Sequence, residues 1–218
     1  MNVLAFDTAT EVLTLAAVRG ETWASLALRR GLQHSPALLP LIDTILGGLG
    51  MTGADVELLV CSLGPGSFTG IRIGLATAMG IARGRGIPVV GVSTLDALAF
   101  PWSAHQGDVF PVIDARKGKI YTARFSAGTR QGEYMDVSTS ELARVVGEAE
   151  TPLLAGPDAG RIRDLLGDQG RAARVAVTVD PRSMLEIGAA RFTREGADPS
   201  ALRPLYLRKS EAEIAIGL

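Results

Sequence analysis

The chain has 218 residues, a formal charge of −1 and 47% hydrophobic residues, enough to bury the core of one large domain or of two small lobes. Its single cysteine excludes an intrachain disulfide framework and a cysteine-rich zinc site, and its two histidines supply a metal site poorly. The near-neutral charge argues against a dedicated nucleic-acid-binding surface. With no basic segment at the N-terminus and no apolar run of about 18 residues, we expect a soluble cytoplasmic protein.

The first half of the chain is predicted to contain five strands and three helices in the order βββαβαβα. Apolar runs predict strands over 2–6, 12–18, 22–28, 57–63 and 87–92. Helices are predicted over 35–49, 67–83 and 93–101. Pro40 lies within the first of these helices, so we expect a kink or a displaced start there.

The second half repeats this order, although its residues do not repeat. Strands are predicted over 108–113, 119–125, 133–137, 152–155 and 174–179, and helices over 138–147, 157–166 and 182–194. Ser138 and Glu141 have the spacing of a capping box at the start of a helix. The duplicated βββαβαβα order predicts a two-lobed, ribonuclease-H-like α/β fold, with lobes over 1–103 and 104–218.

The segment Gly64–Gly74, with the sequence GPGSFTGIRIG, lies between a predicted strand and a predicted helix. Such a turn can bind phosphate on free N–H groups at the start of a helix. However, the segment has no lysine for a Walker A loop, Gly70 comes one position late for a dinucleotide fingerprint, and Gly66 directly precedes Ser67, unlike a nucleophile elbow. We therefore favour a tight turn in which Ser67 caps the helix.

Two predicted first-lobe helices carry a candidate partner-binding surface. The first is apolar over more than one face, and the second presents small residues along one side, where another helix can approach closely. The candidate residues are Leu38, Leu39, Leu41, Ile42, Ile45, Leu46, Gly70, Gly74, Thr77 and Ile81. The alternative is that these helices pack only within their own lobe.

Polar residues at predicted strand ends form a possible degenerate nucleotide site, comprising Asp7, Thr8, Asp114 and Gly156. In two-lobed phosphotransferases a strand-end carboxylate organises Mg²⁺, but here no glycine follows Asp7. The alternatives are that Asp7 caps its own turn and that Asp114 pairs with Arg116 or caps the hairpin. We expect His34 to be a surface or capping residue and Cys61 to lie in the core.

Several segments together resemble the bacterial TsaB (YeaZ) family. They are Asp7-Thr8, His34-Ser35, Leu38-Leu39-Pro40, Gly64–Gly74, Ser93-Thr94-Leu95, Asp114-Ala115-Arg116 and Pro204–Arg208. They occur in the family's order over nearly the whole chain, and GPGSFTG followed by RIG is the most specific of them. The resemblance implies the ASKHA (actin-like ATPase) fold and a non-catalytic role. The catalytic paralogue has a His-x-x-x-His metal motif, which this sequence lacks.

The resemblance further implies a scaffold for a TsaD-like catalytic subunit, which places threonylcarbamoyl on the adenosine beside the anticodon of tRNAs that read ANN codons. A TsaE-like ATPase would join the assembly, with ATP and Mg²⁺ on the partner subunits and no cofactor on this chain. Binding of tRNA is expected only through the complex, and a homodimer when the partner is missing. The alternatives are a small ATP-dependent kinase of the same fold and a peptidase.

Overall fold

The structure is a computed structural model that describes residues 1–29, 31, 34–170, 173–177, 179–198, 200 and 202–208. Contacts divide the chain into two compact units, Met1–Ala97 with Val179–Pro204 and Leu98–Thr178 with Leu205–Leu218. Each unit contains a five-stranded sheet. Among the described residues, no helix is both long and apolar enough to span a membrane.

The elements follow the order predicted from the sequence. The strands are β1 (Val3–Asp7), β2 (Val12–Arg19), β3 (Thr22–Arg29), β4 (Leu58–Gly64), β5 (Val89–Ser93), β6 (Asp108–Arg116), β7 (Lys119–Ser126), β8 (Thr129–Ser138), β9 (Leu153–Ala155) and β10 (Arg174–Ala176). The α-helices are α1 (Ser35–Gly48), α2 (Phe68–Arg85), α3 (Thr94–Ala99), α4 (Thr139–Gly147), α5 (Ala159–Leu165) and α6 (Arg182–Glu195).

The two sheets share one topology. Strand order is β3-β2-β1-β4-β5 in the first unit and, in the matching direction, β8-β7-β6-β9-β10 in the second. In both, the first three strands form an antiparallel meander and the last two add in parallel. This confirms the predicted two-lobed α/β fold with a duplicated element order.

The first sheet is covered on both faces because apolar residues point alternately to its two sides. Leu4 and Phe6 of β1 belong to the core cluster that contains the buried residues of α1 and α2. Val3 and Ala5 point the other way and pack in a cluster with Met184 of α6. Helix α1 begins at Ser35 and continues through Pro40, so the displaced start expected from this proline is wrong.

Helix α6 corrects the predicted boundary between the lobes. A division into 1–103 and 104–218 assigns this helix to the second lobe, whereas it contacts β1, β4 and β5 of the first unit. The reason is that Val3, Ala5 and Val60 form an apolar sheet face, which α6 covers. Residues 209–218 of the predicted second lobe lie outside the described residues.

Candidate functional site

The carboxyl end of β1 carries a buried polar cluster. Asp7 is 5% exposed, and its Oδ1 accepts a hydrogen bond from the Ala9 N–H at 2.7 Å. Burial raises the pKa of the Asp7 carboxyl above its ordinary value of 3.8, and the Ala9 amide and the Ser62 and Thr94 hydroxyls partly oppose that rise. The bond to Ala9 is the turn cap that the sequence offered as one role for Asp7.

His34 lies next to this cluster rather than at the surface. The side chain is fully buried, and its Nε2 lies 2.7 Å from the Thr10 carbonyl oxygen. A carbonyl only accepts, so Nε2 carries the proton, and Nδ1 has no hydrogen-bond partner among the described residues. The expectation of a surface histidine is wrong, and although His34 is the N-cap of α1 it makes no side-chain cap bond. Its contact joins the turn after β1 to the start of α1.

The glycine-rich segment folds against the turn that follows β1. The Ser67 N–H donates to the Ala9 carbonyl at 2.7 Å, and the Thr8 hydroxyl donates to the Gly70 carbonyl at 2.7 Å. The Ser67 hydroxyl accepts from the Gly70 N–H at 3.3 Å, which confirms the predicted helix cap. These bonds hold the glycine-rich segment against the first unit, as expected for a tight turn in which Ser67 caps the helix.

Gly70 and Gly74 are buried where α2 passes this turn. A Cβ atom at Gly70 would lie 2.1 Å from the Thr8 carbonyl oxygen, and one at Gly74 would lie 2.4 Å from the Thr8 Oγ1. Both positions therefore require glycine for contact within the first unit. The prediction that these two glycines face a partner is wrong, because the side of α2 that they occupy is already covered.

The strand-end residues of the second unit are also held by their own unit. The Asp114 Oδ1 accepts from the Arg116 N–H at 2.9 Å, and its Oδ2 lies 2.8 Å from Arg161 and 3.5 Å from the Arg116 guanidinium. Asp114 thus both pairs with Arg116 and caps the turn, while sequence reasoning missed Arg161, which comes from the distant α5. A Cβ at Gly156 would lie 2.9 Å from the Val112 carbonyl oxygen.

Four of the six predicted partner-binding residues on α1 are core residues. Leu38, Ile42, Ile45 and Leu46 are buried in the first-unit cluster, so the prediction that they contact a partner is wrong. The helix needs them to cover β2 and β3. Leu39, in contrast, is 55% exposed, so it remains a candidate contact for a partner.

Helix α2 has an outer side that none of the described residues of the first unit covers tightly. Met79 is 46% exposed, and a Cβ added at Gly80 or Gly84 would meet no atom within 4 Å. The predicted residues Thr77 and Ile81 are half-buried on this helix, and Leu41 is half-buried on α1. We use the name outer helical surface for nine uncharged positions of α1 and α2 that are exposed or half-buried: Leu39, Leu41, Ile73, Ala76, Thr77, Met79, Gly80, Ile81 and Gly84. Of these, Leu41, Ile73 and Ile81 also pack against the core of the first unit.

Two further features limit the chemistry of the described residues. The described residues contain no group of three or more histidine, cysteine, aspartate or glutamate side chains placed to hold a metal ion. Cys61 is buried in β4, as predicted, and burial raises the pKa of its thiol to about 12. A thiol in this state is a core side chain rather than a nucleophile.

Comparison with known proteins gives a consistent family. A family model described as TsaD, tRNA N6-adenosine threonylcarbamoyltransferase, matches residues 30–169. The chain is 32% identical to the tRNA threonylcarbamoyladenosine biosynthesis protein TsaB of Bacillus subtilis, over 98% of this chain and 96% of that protein. Its fold is similar to that of YeaZ from Pseudomonas aeruginosa, with a TM-score of 0.79 at 23% identity over 94% of this chain and 99% of that one.

A more distant structure places the fold in a wider class. A Bacteroides thetaiotaomicron protein with an actin-like ATPase fold matches with a TM-score of 0.52 at 10% identity, over 85% of this chain and 95% of that one. This likeness concerns the fold alone and agrees with the duplicated topology described above. Together, the full-length similarity to TsaB and the shared fold show that the chain belongs to the TsaB (YeaZ) family.

Proposed function

We propose that this chain is a non-catalytic subunit of the complex that forms N6-threonylcarbamoyladenosine beside the anticodon of tRNAs that read ANN codons. It supports a TsaD-type catalytic subunit in the cytoplasm, and a TsaE-type ATPase joins the assembly. ATP and Mg²⁺ act on the partner subunits, this chain carries no cofactor of its own, and tRNA is bound through the complex. The full-length similarity to a TsaB relative named for this biosynthesis supports the proposal.

The strand ends support a non-catalytic role. The Asp7 carboxyl group is buried and accepts a hydrogen bond from the Ala9 N–H, and the Thr8 hydroxyl donates to the Gly70 carbonyl. Asp114 is bridged by two arginines of its own unit. Each of the groups that would handle Mg²⁺ or phosphate in a phosphotransferase of this fold therefore serves an internal contact.

The outer helical surface is the single observation that carries the partner proposal. Most of the apolar residues of α1 are used by the core, yet Leu39 and Met79 remain about half exposed. Open space above Gly80 and Gly84 allows another backbone to approach α2 closely. Exposed apolar side chains next to such space mark an interaction surface, and we assign it to the TsaD-type subunit. The same surface pairs two copies of this chain when that subunit is missing.

Co-purification with the TsaD-type subunit of the same organism tests this assignment. Leu39→Asp and Met79→Asp place a charge on the surface of the free chain, so we expect folded variants that retain less than about one tenth of the bound partner, a loss of at least 1.4 kcal/mol. Val177→Asp is the matched control, because Val177 is 56% exposed and directly follows β10 in the second unit. Thermal melting checks that each variant is folded.

Which of the three variants retain the TsaD-type subunit decides whether the outer helical surface binds it. The proposal predicts that both first-unit variants lose the partner while the Val177 variant keeps it. Wild-type binding by folded Leu39→Asp and Met79→Asp variants would show that the partner docks elsewhere. The oligomeric state of the free variants gives a second readout, because loss of the surface should also give monomers.

A further inference from the structure

The β6–β7 hairpin of the second unit carries a cluster of cations around a small pocket. Arg116, Lys117 and Lys119 from the hairpin and Arg161 from α5 line a depression of about 180 Å³. The whole sequence contains three lysines, and two of them are in this hairpin. The lining of this one pocket therefore holds four positively charged side chains in a chain of net charge −1.

The backbone of the hairpin holds these cations in an unusual conformation. Arg116, Lys117 and Gly118 have φ angles of 64°, 54° and 71°, and the pairing of β6 with β7 shifts register between Asp114 and Arg116. Positive φ is unfavourable for arginine and lysine, and asparagine followed by glycine is the favoured pair for this tight hairpin. A register shift re-aims the side chains beside it, and strained residues of this kind cluster at functional sites.

Acidic groups near the pocket hold its cations in place. Asp114 is the one carboxylate among the residues that line the pocket, and it fixes Arg161 at 2.8 Å and Arg116 at 3.5 Å. Asp158 accepts a hydrogen bond from the Asp114 N–H at 3.0 Å, and Glu141 of α4 is bonded to Ser138 and lies close enough to Lys119 to feel its charge. The residues that line the pocket thus include four cations and one carboxylate.

We propose that this pocket binds a backbone phosphate of the tRNA in the assembled complex, an inference that rests on the function proposed above. The depression is smaller than the about 300 Å³ at which small-molecule sites begin, so it suits one phosphate group better than a whole nucleotide. Arginine offers a planar fork of donors to phosphate oxygens, and lysine offers a mobile point charge. The contact positions the RNA and carries no sequence information.

Binding of tRNA to the complex of this chain and the TsaD-type subunit tests the inference. The double variant Lys117→Asn and Lys119→Gln removes two charges, and its first change gives the turn the Asn-Gly pair that it favours. We expect tRNA affinity to fall about 3- to 10-fold and the slope of log K against log salt to decrease by about one. The control, Arg174→Gln with Arg203→Gln, removes two exposed arginines outside the pocket lining and should leave both quantities unchanged.

Each other outcome overturns the inference for a distinct reason. If the double variant forms the complex and binds tRNA with the wild-type affinity and salt slope, the pocket does not contact RNA, and the proposed function stands. If the wild-type chain forms no complex with the TsaD-type subunit, the proposed function fails and the inference fails with it. If ADP raises the Tm of the wild-type chain alone but not that of the double variant, the pocket is a nucleotide site.

Discussion

At the scale of single residues, the glycines of α2 have two opposite roles. Gly70 lies against the Thr8 carbonyl, whereas Gly80 faces open space. We therefore predict that Gly70→Ala lowers the free energy of unfolding by about 1–3 kcal/mol through overpacking. Gly80→Ala should raise it by up to about 1 kcal/mol, because alanine is the better helix former. Urea unfolding of the two variants gives this comparison directly, and equal effects of the two substitutions would contradict the packing described here.

The buried Asp7 carboxyl makes stability depend on pH. Burial raises its pKa in the folded protein above the ordinary value of 3.8, so at pH values between the unfolded and the folded pKa the folded state holds a proton that the unfolded state has released. Its contribution to stability is complete below the unfolded pKa and is lost as pH rises through the folded pKa. We predict that Asp7→Asn, which keeps an oxygen to accept the Ala9 N–H, gains stability relative to wild type as pH rises through that window.

Unfolding free energies measured from pH 3 upward check this prediction. Asp43→Asn provides the control, since it removes an exposed carboxyl from α1 of the same unit. A constant difference between Asp7→Asn and wild type across the whole range would contradict a raised pKa for Asp7.

For the helices and strands, local sequence patterns were sufficient to predict those features that depend on neighbouring residues of the chain. The element order follows from apolar periodicity, and the cap of α4 follows from the spacing of Ser138 and Glu141. The sides of α2 could not be distinguished in this way, because Gly74 and Gly80 have the same sequence signal and differ only in what lies opposite them. The position of α6 depends on which apolar sheet face no other helix covers. That face is formed by residues far from α6 in the sequence, so the sequence of α6 alone could not predict it.

Helix α6 gives a prediction about folding of the first unit. A fragment of residues 1–103 lacks this helix and exposes the apolar face formed by Val3, Ala5 and Val60, so we expect it to aggregate. Joining residues 1–97 to 179–204 through a flexible Gly/Ser linker should restore a soluble, cooperatively unfolding protein. Circular dichroism and thermal melting of the two fragments provide the test, and a soluble, folded 1–103 fragment would contradict the assignment of α6 to the first unit.

At the scale of the whole molecule, the two units share a topology but are proposed to have different uses. In these proposals, the outer helical surface of the first unit binds a protein partner, and the cationic hairpin of the second unit binds RNA. The sequence resemblance identified the family from motifs spread along the chain. The motifs did not show which of their residues are exposed, because exposure depends on the packing of the folded chain. For the same reason they did not show that Arg161 pairs with Asp114.

The proposed role of this chain as a non-catalytic supporting subunit is tested most directly by measuring formation of N6-threonylcarbamoyladenosine. Unmodified tRNA is incubated with the TsaD-type subunit, the TsaE-type ATPase, ATP, Mg²⁺ and a threonylcarbamoyl donor, with and without this chain, and the modified nucleoside is measured by mass spectrometry. We predict product when this chain accompanies the catalytic subunit, little product with Met79→Asp, and none from this chain alone. Product formed by the chain alone, or product formation unchanged when the chain is omitted, would contradict the claim that it is a non-catalytic supporting subunit.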